Sequence, residues 1–362
     1  MKNSIVVFAA LALSGAASAQ STVNLFGVVD ATLARGTGSL THRTQLTNSG
    51  YTSSRVGFRG NEELGGGQLA GFHLEAGIAN DDGQGGSTNS SNQASGTGAS
   101  VAGRQGLTFN RRSTVSLAGG WGELRLGRDY TPQFWNQSVY DPFNTNGVGT
   151  NQVAGSNIGG PTNTRSSNGI SYLWGHGFNA SSAVGGNGIH ALVQYYVGEN
   201  PSGTPTSDDG SGWGVRAGYN AAPVSVAAHV ARAHYSSGDI TSYSLGGSYD
   251  FGPARLMAMA ERDRVAATTS VTGTGYLVGV HVPVGPNLVR AAISHYKTNA
   301  ATEPATRKFA LGYVHNLSKR TAFYATVARV SNKGAATQAL NGSTTAAGQT
   351  STGLDLGVRH IF

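Results

Sequence analysis

The sequence predicts an all-β fold, a single antiparallel β-barrel of about sixteen strands that crosses a membrane. Three observations predict it. The chain carries 54 Gly in 362 residues, and only 12% of it is charged, about half the usual share in soluble domains. That balance suits many short strands joined by turns and polar loops better than a helical enzyme. Short connectors alternate with long ones, and residues alternate apolar with polar inside the strands.

Candidate strands lie near 22–34, 52–60, 68–79, 108–118, 122–128, 165–174, 188–198 and 213–221. Eight more lie near 224–234, 241–251, 253–262, 273–283, 287–297, 306–316, 320–330 and 351–362. The short connectors include 60–67, 119–122, 220–223, 250–253, 283–286 and 316–319. The long ones include 36–51, 80–106, 129–164, 199–212 and 331–351. Outer-membrane barrels have tight periplasmic turns and longer extracellular loops, and with both termini on the short side the strand count is even.

The dyad pattern sets which face meets lipid. In the last strand Leu354, Leu356, Val358, His360 and Phe362 share one face, against Asp355, Gly357, Arg359 and Ile361. In the second, Val56 and Phe58 oppose Arg55, Gly57 and Arg59. Near 287–297, Val289, Ala291 and Ile293 oppose Arg290, Ala292 and Ser294. An apolar face beside one bearing Arg, Asp and Ser fits lipid outside and water inside. Tyr172, Trp174, Tyr219, Tyr249, Phe251, Tyr296 and Tyr313 sit near strand ends, where interfacial aromatic girdles belong. The β-propensity of aromatics accounts for part of this placement.

The first nineteen residues read as a secretory leader. Lys2 supplies the positive region, 5–13 the apolar run, and Ala17-Ser18-Ala19 the small-residue cleavage pattern. Cleavage after Ala19 leaves residues 20–362 as the barrel and Gln20 as the mature N-terminus. No later apolar run approaches the ~20 residues of a spanning helix. The net charge is +7, but the basic residues form no runs, so nucleic acid is not an expected partner.

Enzyme chemistry finds little support. Without Cys there is neither a thiol nucleophile nor a Cys-based zinc site. The ten His are scattered, with no His-Glu-x-x-His. No Gly-rich stretch opens a helix after a strand as a phosphate cradle requires. A Ser-His-Asp site assembled from distant strands stays open. No cofactor is required. Paired loop carboxylates, Asp81-Asp82 and Asp208-Asp209, offer oxygen ligands for Ca²⁺ between protein and lipopolysaccharide, or are simply solvated.

Several stretches resemble the Gram-negative general porins, most closely their β-proteobacterial branch. Ser54-Arg55-Val56-Gly57-Phe58-Arg59-Gly60-Asn61-Glu62-Glu63-Leu64-Gly65-Gly66-Gly67 is similar to that family's second strand and first turn. Val23-Asn24-Leu25-Phe26-Gly27-Val28-Val29-Asp30 resembles its first strand. Phe109-Asn110-Arg111-Arg112 and Leu126-Gly127-Arg128-Asp129-Tyr130-Thr131-Pro132 resemble its fourth and fifth strands and the entry to its third loop. Asn316-Leu317-Ser318-Lys319-Arg320-Thr321 resembles its last periplasmic turn. Phe362 is the aromatic terminus typical of such barrels, the expected signal to the barrel-assembly machinery. The resemblance implies a 16-stranded barrel in the outer membrane, a homotrimer among lipid and lipopolysaccharide, and a third loop, 129–164, folded inward.

Phe134, Trp135, Tyr140, Asp141, Pro142 and Phe143 lie in that loop, and aromatics in a polar loop fit packing on the inner wall. The resemblance implies a constriction that sets acidic loop residues against a ladder of Arg. Arg55, with Arg59 on its face, matches the second-strand position, and Arg165 the sixth-strand one. Adjacent residues face oppositely, so only one of Arg111 and Arg112 is expected inward, and the motif favours Arg111. Arg125 and Arg128 are further candidates. From Tyr130 to Thr164 the only acidic residue is Asp141, with Asp129 at the loop's start. An Arg-lined passage with few carboxylates concentrates anions and repels cations. The expected function is therefore general diffusion of small hydrophilic solutes and ions with anion preference. The alternative electrostatic reading ties these Arg into neutral networks with Glu62, Glu63, Asp30 or Glu75. A substrate-specific porin for sugars, phosphate or organic anions, and an exported β-rich adhesin, are the other functional readings.

Overall fold

The computed structural model describes residues 22–93, 106–180 and 185–362. The expected leader, 1–19, and Gln20 lie outside the described residues. The wall starts with β1 (Thr22–Thr37), β2 (His42–Asn48), β3 (Arg55–Gly65), β4 (Gln68–Ala79) and the two-residue β5 (Gln84–Gly85). It continues through β6 (Arg112–Gly119), β7 (Gly122–Tyr130), β8 (Arg165–Trp174), β9 (Gly188–Tyr196), β10 (Gly212–Ala221) and β11 (Val224–Ala233). It ends with β12 (Asp239–Asp250), β13 (Arg255–Ala266), β14 (Val271–Val284), β15 (Asn287–Thr298), β16 (Ala305–Asn316), β17 (Thr321–Lys333) and β18 (Thr350–Ile361). Two helices, α1 (Pro132–Val139) and α2 (Gln152–Ser156), sit in the connector from β7 to β8.

These segments make sixteen staves. β2 pairs with β1 over Ala31–Thr37, and β3 pairs with the same strand over Thr22–Val28. They are two halves of one descending stave, broken at 49–54. β5 bridges only Ile78 and Ala79. The barrel closes where β1 meets β18, from Val28 opposite Ile361 to Thr37 opposite Thr352. Closure leaves no free sheet edge, which lipid demands because it cannot hydrogen-bond an exposed backbone. Every expected strand coincides with a stave.

The expected long connector at 36–51 is corrected: most of it is ladder. The Thr-rich run of β2 continues the pairing, and the irregularity falls at 49–54 instead. There Ser49 takes a positive φ of 66°. The buried carboxylate of Asp30 accepts the backbone N–H of Tyr51 at 2.9 Å and of Thr52 at 2.7 Å. That capture replaces the ladder partners the break forfeits.

The polarity is inside-out. Leu354, Leu356, Val358 and Phe362 are exposed on the outer face while Asp355 is buried on the inner one. Tyr172, Trp174, Tyr219, Tyr249, Phe251 and Tyr313 are exposed. Tyr296 departs from the expected girdle. It turns inward, and its hydroxyl donates to Asp263 Oδ2 at 2.8 Å.

Candidate functional site

The connector from β7 to β8 crosses the interior along the wall. Thr131 takes the extended N-cap conformation and Pro132 opens α1, where its fixed φ suits the first turn. Trp135 is buried against Leu173 and Leu192 of β8 and β9. Tyr140 is buried against Ala227, Met259 and Leu277 of β11, β13 and β14. Phe143 packs with Ala292, Ala310 and Ala328 of β15, β16 and β17. Polar links reinforce the course. Asn136 Nδ2 donates to Ser244 Oγ at 2.7 Å and Gln137 Nε2 to Glu261 Oε1 at 2.7 Å. Lys308 Nζ donates to the Thr150 carbonyl at 2.6 Å, and the Val148 N–H to Asp355 Oδ2 at 2.7 Å. Small inward residues make the room. A β-carbon at Gly246 would collide with the Tyr140 ring, and one at Gly279 with Pro142.

Opposite this loop lies a cavity of about 870 Å³ whose lining includes Arg55, Arg59, Arg111, Arg112, Arg165 and Arg255, against Glu75 and Asp129. Tyr130, Phe134 and Trp135 also line it, as does Phe362 near the chain end. Six guanidinium groups thus share one water-accessible space with two side-chain carboxylates.

The Arg side chains differ in how they are held. Arg55 Nε lies 3.5 Å from Glu75 Oε2, and its Nη1 donates to the Ser53 carbonyl at 2.9 Å. Arg111 Nε meets Glu75 Oε1 at 2.5 Å, and Arg111 Nη2 donates to the Tyr130 hydroxyl at 2.6 Å. Arg165 Nη2 donates to the same hydroxyl at 2.8 Å. Arg59 stands 5.1 Å over the Phe26 ring. Arg112 is buried, 3.6 Å from Asp129 Oδ2, and donates to Asn179 Oδ1 at 2.9 Å.

The expectation that only one of Arg111 and Arg112 turns inward is corrected, since both line the cavity. β6 begins at Arg112, so Arg111 precedes the regular strand and alternation does not bind it. Arg125 and Arg128 lie outside that lining. Arg125 is fully buried between Glu123 (2.6 Å) and Asp129 (3.1 Å), and with Arg112 beside Asp129 the cluster is neutral. Arg128 donates to the Asn110 carbonyl at 2.6 Å and to Ser167 Oγ at 2.8 Å.

The loop's carboxylate does not face the Arg wall. Asp141 is buried and accepts from the Phe143 N–H at 2.9 Å, the Thr145 N–H at 3.1 Å, and the Asn151 backbone and side chain at 3.3 and 2.7 Å. It staples the loop to itself. Of the carboxylates proposed to neutralise the ladder, Glu75 does touch Arg55 and Arg111. Glu62 and Glu63 are exposed near the β3–β4 turn, and Asp30 serves the break at 49–54.

Inward cations beyond the ladder are Arg216, Arg255 and Lys308, together with Arg290, which the sequence places on the polar face of its strand. Strand parity held the signal, since Arg290 shares its face with Ala292 and Ser294. Residues 175–180, the first part of the connector from β8 to β9, also enter the barrel. Its Ala180 carbonyl accepts from Arg112 Nη1 at 2.9 Å and Arg125 Nη2 at 3.0 Å. His176 in that connector stacks edge-on with Trp135 at 5.4 Å and His190 at 5.2 Å. Burial, aided by the charges of His190, Arg216 and Arg125, pushes its imidazole down to about 3.

The paired loop carboxylates are engaged in loop bonds. Asp81 Oδ1 accepts from Asn48 Nδ2 at 3.0 Å, and Asp209 Oδ1 from the Ser236 N–H at 3.1 Å. Among the described residues no group of three or more His, Asp or Glu is placed to hold a metal.

Comparison with known proteins agrees with this architecture. A family model described as Gram-negative porin matches residues 6–335. Outer membrane porin protein 32 of Delftia acidovorans is 35% identical over 384 aligned residues that cover 100% of both chains. An outer membrane porin protein of Bordetella pertussis is 27% identical, across 90% of this chain and 93% of its own. The solved anion-selective porin from Comamonas acidovorans superposes with a TM-score of 0.79 at 32% identity, over 95% of this chain and 100% of that one. The trimer form of OmpT from Vibrio cholerae has a TM-score of 0.62 at 14% identity over 94% and 99% of the two chains, which bears on the fold alone. An inside-out barrel of sixteen staves with an Arg-lined interior, matched along its length to outer-membrane porins, places the chain in the outer membrane as a channel: it belongs to the Gram-negative porin family.

Proposed function

We propose that this porin passes small hydrophilic solutes by passive diffusion and favours anions, with Arg55, Arg59, Arg111, Arg112 and Arg165 as the selecting wall. The observation that carries the reading is the excess of six guanidinium groups over two side-chain carboxylates around one cavity. Low-dielectric walls focus that positive field and raise the local anion concentration. Glu75 and Asp129 offset part of it and leave Arg59, Arg165 and Arg255 without a carboxylate contact among the described ion pairs. The relative titled an anion-selective porin supports the same sign. Selection then needs no bound intermediate and no energy input, and no catalytic role is assigned to any residue.

Mature residues 20–362 form the whole barrel in this reading. They assemble as a homotrimer in lipid and lipopolysaccharide, with Phe362 as the mark for the assembly machinery. Swelling of liposomes carrying the purified protein tests the permeation claim. A sugar acid should enter faster than an uncharged sugar of equal size, and an amino sugar more slowly. Equal rates for all three would remove the electrostatic part of the proposal.

A further inference from the structure

The outer surface of the barrel carries a charge pattern of its own, separate from the lumen. Arg262 and Arg264 of β13 point outward and are exposed, while Glu261 and Asp263 of the same strand are buried on the inner side. Lys297 of β15, Arg307 of β16 and Lys333 of β17 are exposed on the same outer face. All five stand toward the loop ends of their strands. The ladder register sets them in adjacent rows. Arg262 pairs with Thr274 of β14, Thr274 with Lys297, Lys297 with Ala305 of β16, and Ala305 with Lys333. Arg264 stands one outward step above this row, opposite Thr272. Arg307 stands one step below it, between His295 and Ser331.

This face has little carboxylate to answer its cations. None of the five takes part in a described ion pair. By contrast Arg232, outward on β11, meets Asp239 at 2.7 Å. Among the described residues Glu303 is the only acid in the connectors that join β13–β17 at this end. Below the rows Val278, Ile293 and Phe309 are exposed, the apolar surface that lipid tails require. Exposed Tyr243 and Tyr276 lie at the boundary, as interfacial aromatics do. The cations therefore stand at headgroup level on the side of the extracellular loops. Small residues separate them. Thr274 lies between Arg262 and Lys297, and Ala305 between Lys297 and Lys333. With strands ~4.8 Å apart, each pair of cations brackets a cleft ~10 Å wide, and the two clefts are ~10 Å apart.

We infer that the outer face of β13–β17 docks a lipid headgroup bearing two phosphates, the phosphorylated glycolipid of the outer leaflet. One phosphate sits over Thr274 between Arg262 and Lys297, and the other over Ala305 between Lys297 and Lys333. Each then meets a cation on both sides, and the guanidinium fork of Arg262 suits phosphate oxygens. The acyl chains run down over Val278, Ile293 and Phe309. A second barrel is the poorer occupant, since burial between two protein faces strands these cations without carboxylates. The inference builds on the proposed setting in lipid and lipopolysaccharide and is independent of the sign of pore selectivity.

Native mass spectrometry of the intact barrel, released from detergent with added lipid, tests this. The probes are bisphosphorylated lipid A, its monophosphorylated form and phosphatidylglycerol. The bisphosphorylated form should be held most tightly, with the other two about tenfold weaker, the loss expected for one charged contact. The double variant Arg262→Gln/Lys297→Gln should lose about tenfold in binding that form, while Arg232→Gln binds it as the native protein does. Equal retention of phosphatidylglycerol and bisphosphorylated lipid A overturns the inference, and so does undiminished binding by the double variant. A double variant that binds the lipid normally but changes oligomeric state assigns the face to another copy of the chain, which also overturns it. The five residues lie outside the cavity lining, so the double variant should keep the native reversal potential. Lost lipid binding with unmoved selectivity supports the site whatever that selectivity proves to be. Should the double variant fail to reach the folded form, Lys333→Gln takes its place, and lipid binding equal to the native protein's counts against the docking.

Discussion

The Arg165 guanidinium lies 4.4 Å from the centre of the Tyr130 ring and donates to that residue's hydroxyl at 2.8 Å. The same hydroxyl accepts from Arg111 at 2.6 Å, and Phe134 stacks on the ring at 5.0 Å. One phenol at the end of β7 thus holds two like charges from different parts of the wall and ties them to the inner loop. Its oxygen lone pairs and ring face both favour cations.

Tyr130→Phe keeps the ring and removes the oxygen. Two hydrogen bonds to charged donors disappear, each worth on the order of 2 kcal/mol in anchoring. The barrel should still fold. Single-channel recordings should show a noisier open level and a smaller anion preference of unchanged sign. A selectivity identical to the native protein would mean Tyr130 does not position the charges.

Replacing Arg55 and Arg165 together with Gln removes two of the six guanidinium groups of the cavity. The permeability ratio should move toward cations while heat-modifiable migration on a gel stays native. An unmoved ratio would take these two residues out of the selecting wall.

Asp141→Ala should loosen the loop rather than alter the charge of the passage directly. Four donors lose their acceptor, and buried unsatisfied donors cost about 1–3 kcal/mol each. Limited proteolysis should cut within 141–151, where the native loop resists. Resistance equal to the native protein would contradict the staple.

His176 gives a pH dependence of definite sign. Its imidazole is held down to about 3 in the folded barrel, against ~6.5 in an unfolded chain. Between those values the unfolded state binds a proton that the folded state refuses, so stability falls as pH drops from about 6.5 toward 3. Above about 6.5 the group is neutral in both states and contributes no slope. His176→Phe should flatten this part of the unfolding profile. A slope unchanged in the variant would show that His176 is not buried as described.

The sixteen staves were legible because period-2 alternation and connector length are local signals that each strand carries by itself. The interior was legible only in part. That Arg55, Arg59 and Arg165 share the inner face follows from parity. Arg111 escapes parity because it precedes its strand. The kink at 49–54 depends on Asp30, some twenty residues away, and no local pattern announces that capture. Asp141 is the loop's sole acid, but its side chain turns to its own backbone, a choice set by the Asn151 contact. Tyr296 sits near a strand end like the girdle aromatics, and only parity with Ser294 shows that it points inward toward Asp263. The Gly and Ala that make room for the loop, such as Gly246 and Ala310, are indistinguishable in sequence from turn-forming or lipid-facing small residues.

Anion preference is decided by the zero-current potential of the reconstituted protein across a planar bilayer, with potassium chloride more concentrated on one side. The expected sign reports chloride as the more permeant ion, and the potential is reduced when Arg55 and Arg165 are neutralised. A potential of the opposite sign, reporting potassium as the more permeant ion, would contradict it.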